Sequence, residues 1–117
     1  MTATHHRIDY VELTVTDLAA AKAFYAAAFG WEFNEYGPGY AGIRGRDGEA
    51  GGLYEAAEAR PHGGPFVLLF SEDLEESGRA IERAGGTIVD GPYGFPGGRR
   101  LHFTDPSGNE LGVWSRD

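Results

Sequence analysis

The side chains best suited to chemistry gather near the end of the chain, where Arg100, His102 and Glu110 stand close together, with Glu12 as a carboxylate near the start. Successive side chains of a strand point to opposite faces. With Leu101, Phe103, Leu111 and Val113 on one face, and Leu13 on the matching face of an earlier strand, Arg100, His102, Glu110 and Glu12 fall on the other. A histidine there is suited to give and take a proton near neutral pH, and Glu12 orients it if the strands approach. The competing reading is an imidazole that only hydrogen-bonds within a wet cleft. Arg100 is placed to pair with a ligand carboxylate or with Glu110. Two carboxylates and a histidine also suit a divalent metal, but these three come from three strands at no recognised ligand spacing, so a polar wall is expected. His5, His6 and His62 sit in polar segments and read as solvated.

The same alternation puts Tyr10, Tyr54, Phe66, Leu68, Phe70 and Trp114 on the polar residues' side. Apolar walls with a few polar groups are what a small-molecule pocket needs; the alternative is a sheet-to-sheet core with no ligand. Ser71, Ser77, Ser107 and Ser115 have no sequence-defined base, so covalent catalysis is not expected. Gly94-Phe95-Pro96-Gly97-Gly98 lacks the Lys-Ser/Thr of a nucleotide loop and leads into no helix. It reads as a mobile lip over the cleft.

The elements that must position these residues come in two copies. Tyr10 to Leu18, running on to Gly30, returns as Phe66 to Leu74, running on to Gly86; Asp17 and Asp73 lie 56 positions apart, as do Gly30 and Gly86. Downstream, Gly48, Gly52, Leu53 and Tyr54 return as Gly108, Gly112, Val113 and Trp114, 60 positions on. In the first copy a strand over 8–16 leads through a helix capped by Asp17 and closed by Gly30, with Leu18, Ala21, Phe24, Tyr25 and Ala28 inward. Strands over 31–36, 40–44 and 51–55 follow. In the second, Asp73 and Glu76 form a capping box for a helix that buries Leu74, Ser77, Ile81 and Ala84. Strands over 87–89 and 99–114 follow, the latter a hairpin turning at Asp105-Pro106-Ser107-Gly108, with a loop over 90–98 between them. The fold class is therefore α+β, two tandem βαβββ modules whose curved sheets surround a cleft with helices on the outer face. One domain spans 1–117, with modules over about 8–55 and 65–114 and a Pro/Gly-rich linker over 56–64.

A chain of 117 residues fits one domain. The net charge of −8 disfavours nucleic acid and anionic membranes. With no cysteine there is no disulfide or thiolate nucleophile. No signal-peptide pattern and no spanning run stands in the sequence, so a cytoplasmic protein is expected.

Val15-Thr16-Asp17-Leu18, Ala23-Phe24-Tyr25, Phe29-Gly30-Trp31, Ala84-Gly85-Gly86 and Phe103-Thr104-Asp105-Pro106-Ser107-Gly108-Asn109-Glu110-Leu111, in that order on a duplicated pattern, resemble the vicinal oxygen chelate superfamily of glyoxalases, extradiol dioxygenases, and fosfomycin- and bleomycin-resistance proteins. The resemblance runs from about Ile8 to Trp114. Its metal-dependent members place His, Gln or Glu at points that fall here on Tyr10, Gly52, Phe66 and Gly112, none of which is a plausible ligand for a divalent cation. The expectation is a small-molecule-binding member with no cofactor and no metal, forming a homodimer. His102 and Glu12 would be its catalytic candidates. Tyr10, Tyr54, Phe66, Phe70, Arg100, Glu110 and Trp114 would line the ligand. In fosfomycin-resistance enzymes the point matching His102 carries a substrate-binding side chain. Two alternatives stand beside this: an antibiotic-sequestering protein of the bleomycin-resistance type, and a metal-dependent lyase or dioxygenase-like enzyme with a displaced Glu/His site.

Overall fold

The computed structural model describes residues 5, 8, 10–59 and 66–116. His6, His62 and most of the expected linker lie outside that set. Two four-stranded sheets form, each with one helix. The first has β1 (Val11–Val15), β2 (Phe33–Glu35), β3 (Tyr40–Gly45) and β4 (Gly48–Glu55), ordered β1-β4-β3-β2. The second repeats this as β5-β8-β7-β6, from β5 (Leu68–Phe70), β6 (Thr87–Phe95), β7 (Gly98–Thr104) and β8 (Glu110–Ser115). In each sheet the strand before the helix pairs in parallel with the last strand of its module, and the other pairings are antiparallel.

Both helices start as their sequences dictate. Asp17 accepts from Ala20 N–H ahead of α1 (Leu18–Phe29), and Asp73 accepts from Glu76 N–H ahead of α2 (Leu74–Arg83). Gly30 closes α1 in the left-handed region, where a side chain would be strained. The helix-facing sides of both sheets share one core, in which Phe24 and Phe29 of α1 meet Phe103 of β7. The other side of each sheet is left facing solvent, with Tyr54 49% and Phe70 48% exposed.

The Asp105 turn clasps the two modules together. Asp105 is buried and accepts from the backbone N–H of Ser107 and Asn109 and from the Tyr25 hydroxyl at 2.9 Å. Asn109 donates to the Thr14 carbonyl at 2.7 Å, and the Thr16 N–H donates to Ser107 Oγ at 2.8 Å. A motif that reads as a plain hairpin turn therefore ties β1 and α1 of module one to module two.

Several boundaries depart from the sequence reading. The segment over 90–98 is largely strand rather than a loop or lip: β6 continues to Phe95, bulged between Ile88 and Tyr93, and only a tight turn separates it from β7. Bulges and a positive-φ glycine at 91 obscure strand periodicity, which is why the pattern was unreadable. β2 and β5 shrink to three residues each, and β4 starts at Gly48. Val11, which alternates in step with Leu13 and Val15, is exposed at the outer end of β1, while Leu13 is half-buried.

Candidate functional site

The register lays one row of side chains across the open face of each sheet. In module two it runs Leu68, Gly112, His102, Asp90; in module one, Glu12, Gly52, Gly42, Asn34.

Around the module-two row, His102 is held at both ring nitrogens. Nδ1 lies 2.8 Å from Glu110 Oε2 and Nε2 lies 2.8 Å from the Tyr93 hydroxyl. A carboxylate only accepts, so Nδ1 carries the proton, and in the neutral imidazole Nε2 accepts from Tyr93. Arg100 Nε donates to the same phenol oxygen at 2.5 Å. Protonating His102 would reverse the Nε2 bond, leaving Tyr93 to accept twice and turning its own proton outward. Glu110, His102, Tyr93 and Arg100 thus form a continuous relay, with only 14% of the His102 side chain exposed. Phe66 covers the imidazole at 4.6 Å, and the Arg100 guanidinium carbon lies 5.8, 5.4 and 5.6 Å from the ring centres of Phe66, Tyr93 and Phe95. Farther along, Trp114 packs on Phe70 at 5.1 Å and on Phe95 at 6.3 Å, and Arg116 lies over Phe70 and Trp114.

The module-one row is a trough floored by two glycines. A Cβ on Gly52 would come within 2.0 Å of the Tyr40 hydroxyl, and one on Gly42 within 2.1 Å of the Glu49 carboxylate. A side chain at either position would have to displace those groups. Tyr10 and Tyr40 share a 2.6 Å hydrogen bond, and Tyr40 donates to Glu12 Oε2 at 2.9 Å. Glu49 accepts from Tyr36, from Asn34 Nδ2 at 3.0 Å and from Tyr10 at 3.4 Å. Those bonds, Tyr36 first and Asn34 next, hold the Glu49 carboxyl below its ordinary value. Desolvation, reinforced by the bonds to Tyr10 and Glu12, pushes the Tyr40 phenol up. The carboxylate stays an acceptor and the phenol a donor across the usual pH range.

The sequence-derived set therefore divides. Tyr10 and Glu12 join the phenol and carboxylate group, and Tyr54 stands beside Tyr40 with ring centres 6.5 Å apart. Phe66, Arg100, His102 and Glu110 come together on the other sheet, and Phe70 and Trp114 lie at its far end. Glu12 does not orient His102: its partner is Tyr40, and Glu110, on the strand next to β7, takes that role. Arg100 engages Tyr93 as well as the surrounding rings. Tyr93, Tyr36, Tyr40 and Glu49 were missed. Tyr93 was hidden in the supposed loop; Tyr36 and Tyr40 flank the Gly37-Pro38-Gly39 turn, a hairpin signal that already put both on adjoining strands.

Tyr10, Gly52, Phe66 and Gly112 bring phenol, ring and bare backbone to the points where the sequence comparison expects ligands. The space at Gly52 holds phenol hydroxyls, and a Cβ on Gly112 would meet Leu68 and Phe66 at 2.6 and 2.8 Å. Among the described residues, no three of His, Cys, Asp and Glu converge to hold an ion.

A sequence profile of the Glyoxalase/Bleomycin resistance protein/Dioxygenase superfamily matches residues 7–113, so the chain belongs to that superfamily. A curated relative from Mycobacterium tuberculosis, described as "Putative glyoxylase CFP32", is 27% identical over 115 residues, covering 91% of this chain and 44% of its own length. The chain thus spans less than half of that relative. A glyoxalase/bleomycin resistance protein/dioxygenase family enzyme from Burkholderia phytofirmans superposes with a TM-score of 0.80 at 17% identity, over 94% of this chain and 98% of that one. TnmS3, an antibiotic binding protein from Streptomyces sp. CB03234, gives a TM-score of 0.70 at 25% identity over 100% and 99%. Among the described residues no helix is long and apolar enough to cross a membrane.

Proposed function

We propose that this chain binds a small organic molecule through aromatic stacking and hydrogen bonds rather than through a metal at the superfamily's usual position. The observation that carries the reading is the filling of that position. Where a ligand side chain would project from Gly52 or Gly112, the protein's own phenols and rings already stand. Around them the aromatic faces remain open, as a binding surface requires. The two open faces differ in character, one phenolic and acidic, the other aromatic with Arg100, His102 and Glu110 set among its rings. A homodimer that brings the first sheet of one protomer against the second sheet of its partner would enclose a ligand between them. The Glu110, His102 and Tyr93 relay would add proton transfer of a lyase or isomerase kind. Sequestration without turnover is the second reading, favoured by the end-to-end likeness to an antibiotic binding protein.

The test is metal analysis of the purified protein, then a thermal-shift screen of metabolites and antibiotics, since a ligand of the native state raises its stability. The expected hit loses its shift in Trp114→Ala and His102→Ala proteins that stay folded. One transition metal per chain, lost on changing His102 or Glu12 to Ala, would overturn the reading. So would a hit indifferent to these substitutions. Sedimentation showing only monomer at micromolar concentration would remove the dimer.

A further inference from the structure

The guanidinium of Arg100 is the odd group on the module-two face. On the helix side of this module arginines pair with carboxylates, as Arg99 does with Glu75 at 2.7 and 2.9 Å and Arg83 with Glu76 at 2.9 Å, while Arg116, farther along the open face, lies over Phe70 and Trp114. Arg100 instead hydrogen-bonds a neutral phenol through Nε and is caged by the rings of Phe66, Tyr93 and Phe95. Among the described residues its Nη1 and Nη2 have no acceptor. A guanidinium fixed at one edge and packed against rings has lost much of its rotational freedom, and its far end presents parallel N–H donors in the spacing of two carboxylate oxygens. The rings also displace water, which strengthens any pairing made there.

The surroundings say what should be attached to that carboxylate. On β8 the direct cross-strand partner of Arg100 is Trp114, whose ring is continuous with Phe70 and Phe95. We propose that the ligand of this face is an organic acid: its carboxylate taken end-on by Arg100, its apolar or aromatic body laid against Trp114 and Phe70 beside the Arg116 guanidinium that lies over the same two rings. Tyr93 is then a positioning residue, since it anchors Nε and couples the clamp to His102 and Glu110. The proposal rests on the binding reading above and adds the ligand's charge to it.

Matched probes separate the two. Benzoate, phenylacetate and hydrocinnamate, each with its neutral amide, are titrated against the protein by calorimetry and by amide chemical-shift mapping. The expected result is that at least one acid binds about tenfold or more tighter than its amide, the worth of a charge-assisted pair over a neutral one. Arg100→Gln should abolish that preference, bringing acid and amide to similar affinities, and Arg100→Lys, which keeps the charge but not the fork, should restore only part of it. Equal binding of acids and amides, weakened by Trp114→Ala, would overturn the carboxylate while leaving the binding reading intact. Failure of every probe to shift residues of this face would overturn both. An unaltered acid preference in folded Arg100→Gln protein would overturn the clamp outright. The acid-to-amide ratio of the unaltered protein decides the matter even if that variant does not fold.

Discussion

The two modules are built on one frame, yet their open faces differ in chemistry. Position by position, Gly42 of module one stands where module two has His102, Tyr40 where it has Arg100, Tyr10 where it has Phe66, and Glu12 where it has Leu68. Module one thereby becomes a trough of phenols around carboxylates, module two a basic and imidazole relay under aromatic cover. The helix-facing positions diverge less in kind: Ala41 and Ile43 match Leu101 and Phe103, apolar in both. Packing needs only the right volume and polarity, whereas an open face is free of that constraint and can diverge in chemistry.

The turns diverge too. Asp105-Pro106-Ser107-Gly108 grips module one, while its counterpart Gly45-Arg46-Asp47-Gly48 is exposed. One copy became a clasp, the other stayed a hairpin.

The largest effect should come from the shared core. Leu101, 1% exposed, and His102 are neighbours on opposite faces of β7. Leu101→Ala should cost about 2–5 kcal/mol, the range for truncating a buried aliphatic. His102→Ala should cost about 1 kcal/mol, the order of a net hydrogen-bond contribution. Urea unfolding midpoints at constant slope measure both. Similar losses for the two would show that the open face is as structural as the core.

The fold was largely legible in the sequence, because Asp17 and Asp73 with their glycines mark both helices and alternation marks β1, β7 and β8. The site was half legible. Arg100, His102 and Glu110 sit on well-patterned strands, so their common face could be deduced, but the partner of His102 depends on register, and that put Glu110 rather than Glu12 beside it. Tyr93 was lost because bulges broke the period of β6. The clasp was invisible for another reason: a side chain that caps its own turn reads the same whether or not Tyr25 approaches from 80 residues away.

The clasp supplies the next contrast. Burial first, then the charge of Asp105 and the bond to it, push the Tyr25 phenol well above its ordinary value of 10.0. The folded state therefore keeps the proton where the unfolded chain releases it. The stabilisation is full below about pH 10 and is lost as pH rises beyond that ordinary tyrosine value. Tyr25→Phe should lower stability by about 1–3 kcal/mol at neutral pH, since buried Asp105 loses a donor, and should flatten the alkaline decline. Asp47→Ala, in the exposed counterpart turn, should stay within about 0.5 kcal/mol. Equilibrium unfolding at stepped alkaline pH distinguishes them. An alkaline slope identical in Tyr25→Phe would mean that the two modules are not joined through this phenol.

The smallest effect belongs to the module-one trough, where Glu49 is held below its ordinary value of 4.5 by Tyr36, Asn34 and Tyr10 in that order. A depressed carboxyl stabilises the fold above the unfolded value and ceases to do so as pH falls through the lower, folded one. Glu49 is open to water, so the stability gain should be slight, seen as a small melting-point difference between the unaltered protein and Glu49→Gln at neutral pH that closes under acid conditions. The more telling readout is local. Tyr36 owes its raised phenol chiefly to its bond with Glu49, so Glu49→Gln should bring the Tyr36 titration down toward the ordinary tyrosine value. Ring-carbon NMR titration of Tyr36 follows it, with the Trp114 indole N–H resonance on the other sheet as the control. If that resonance moved on Glu49→Gln as well, the two open faces would be coupled within one protomer, and their different chemistry could not be treated separately.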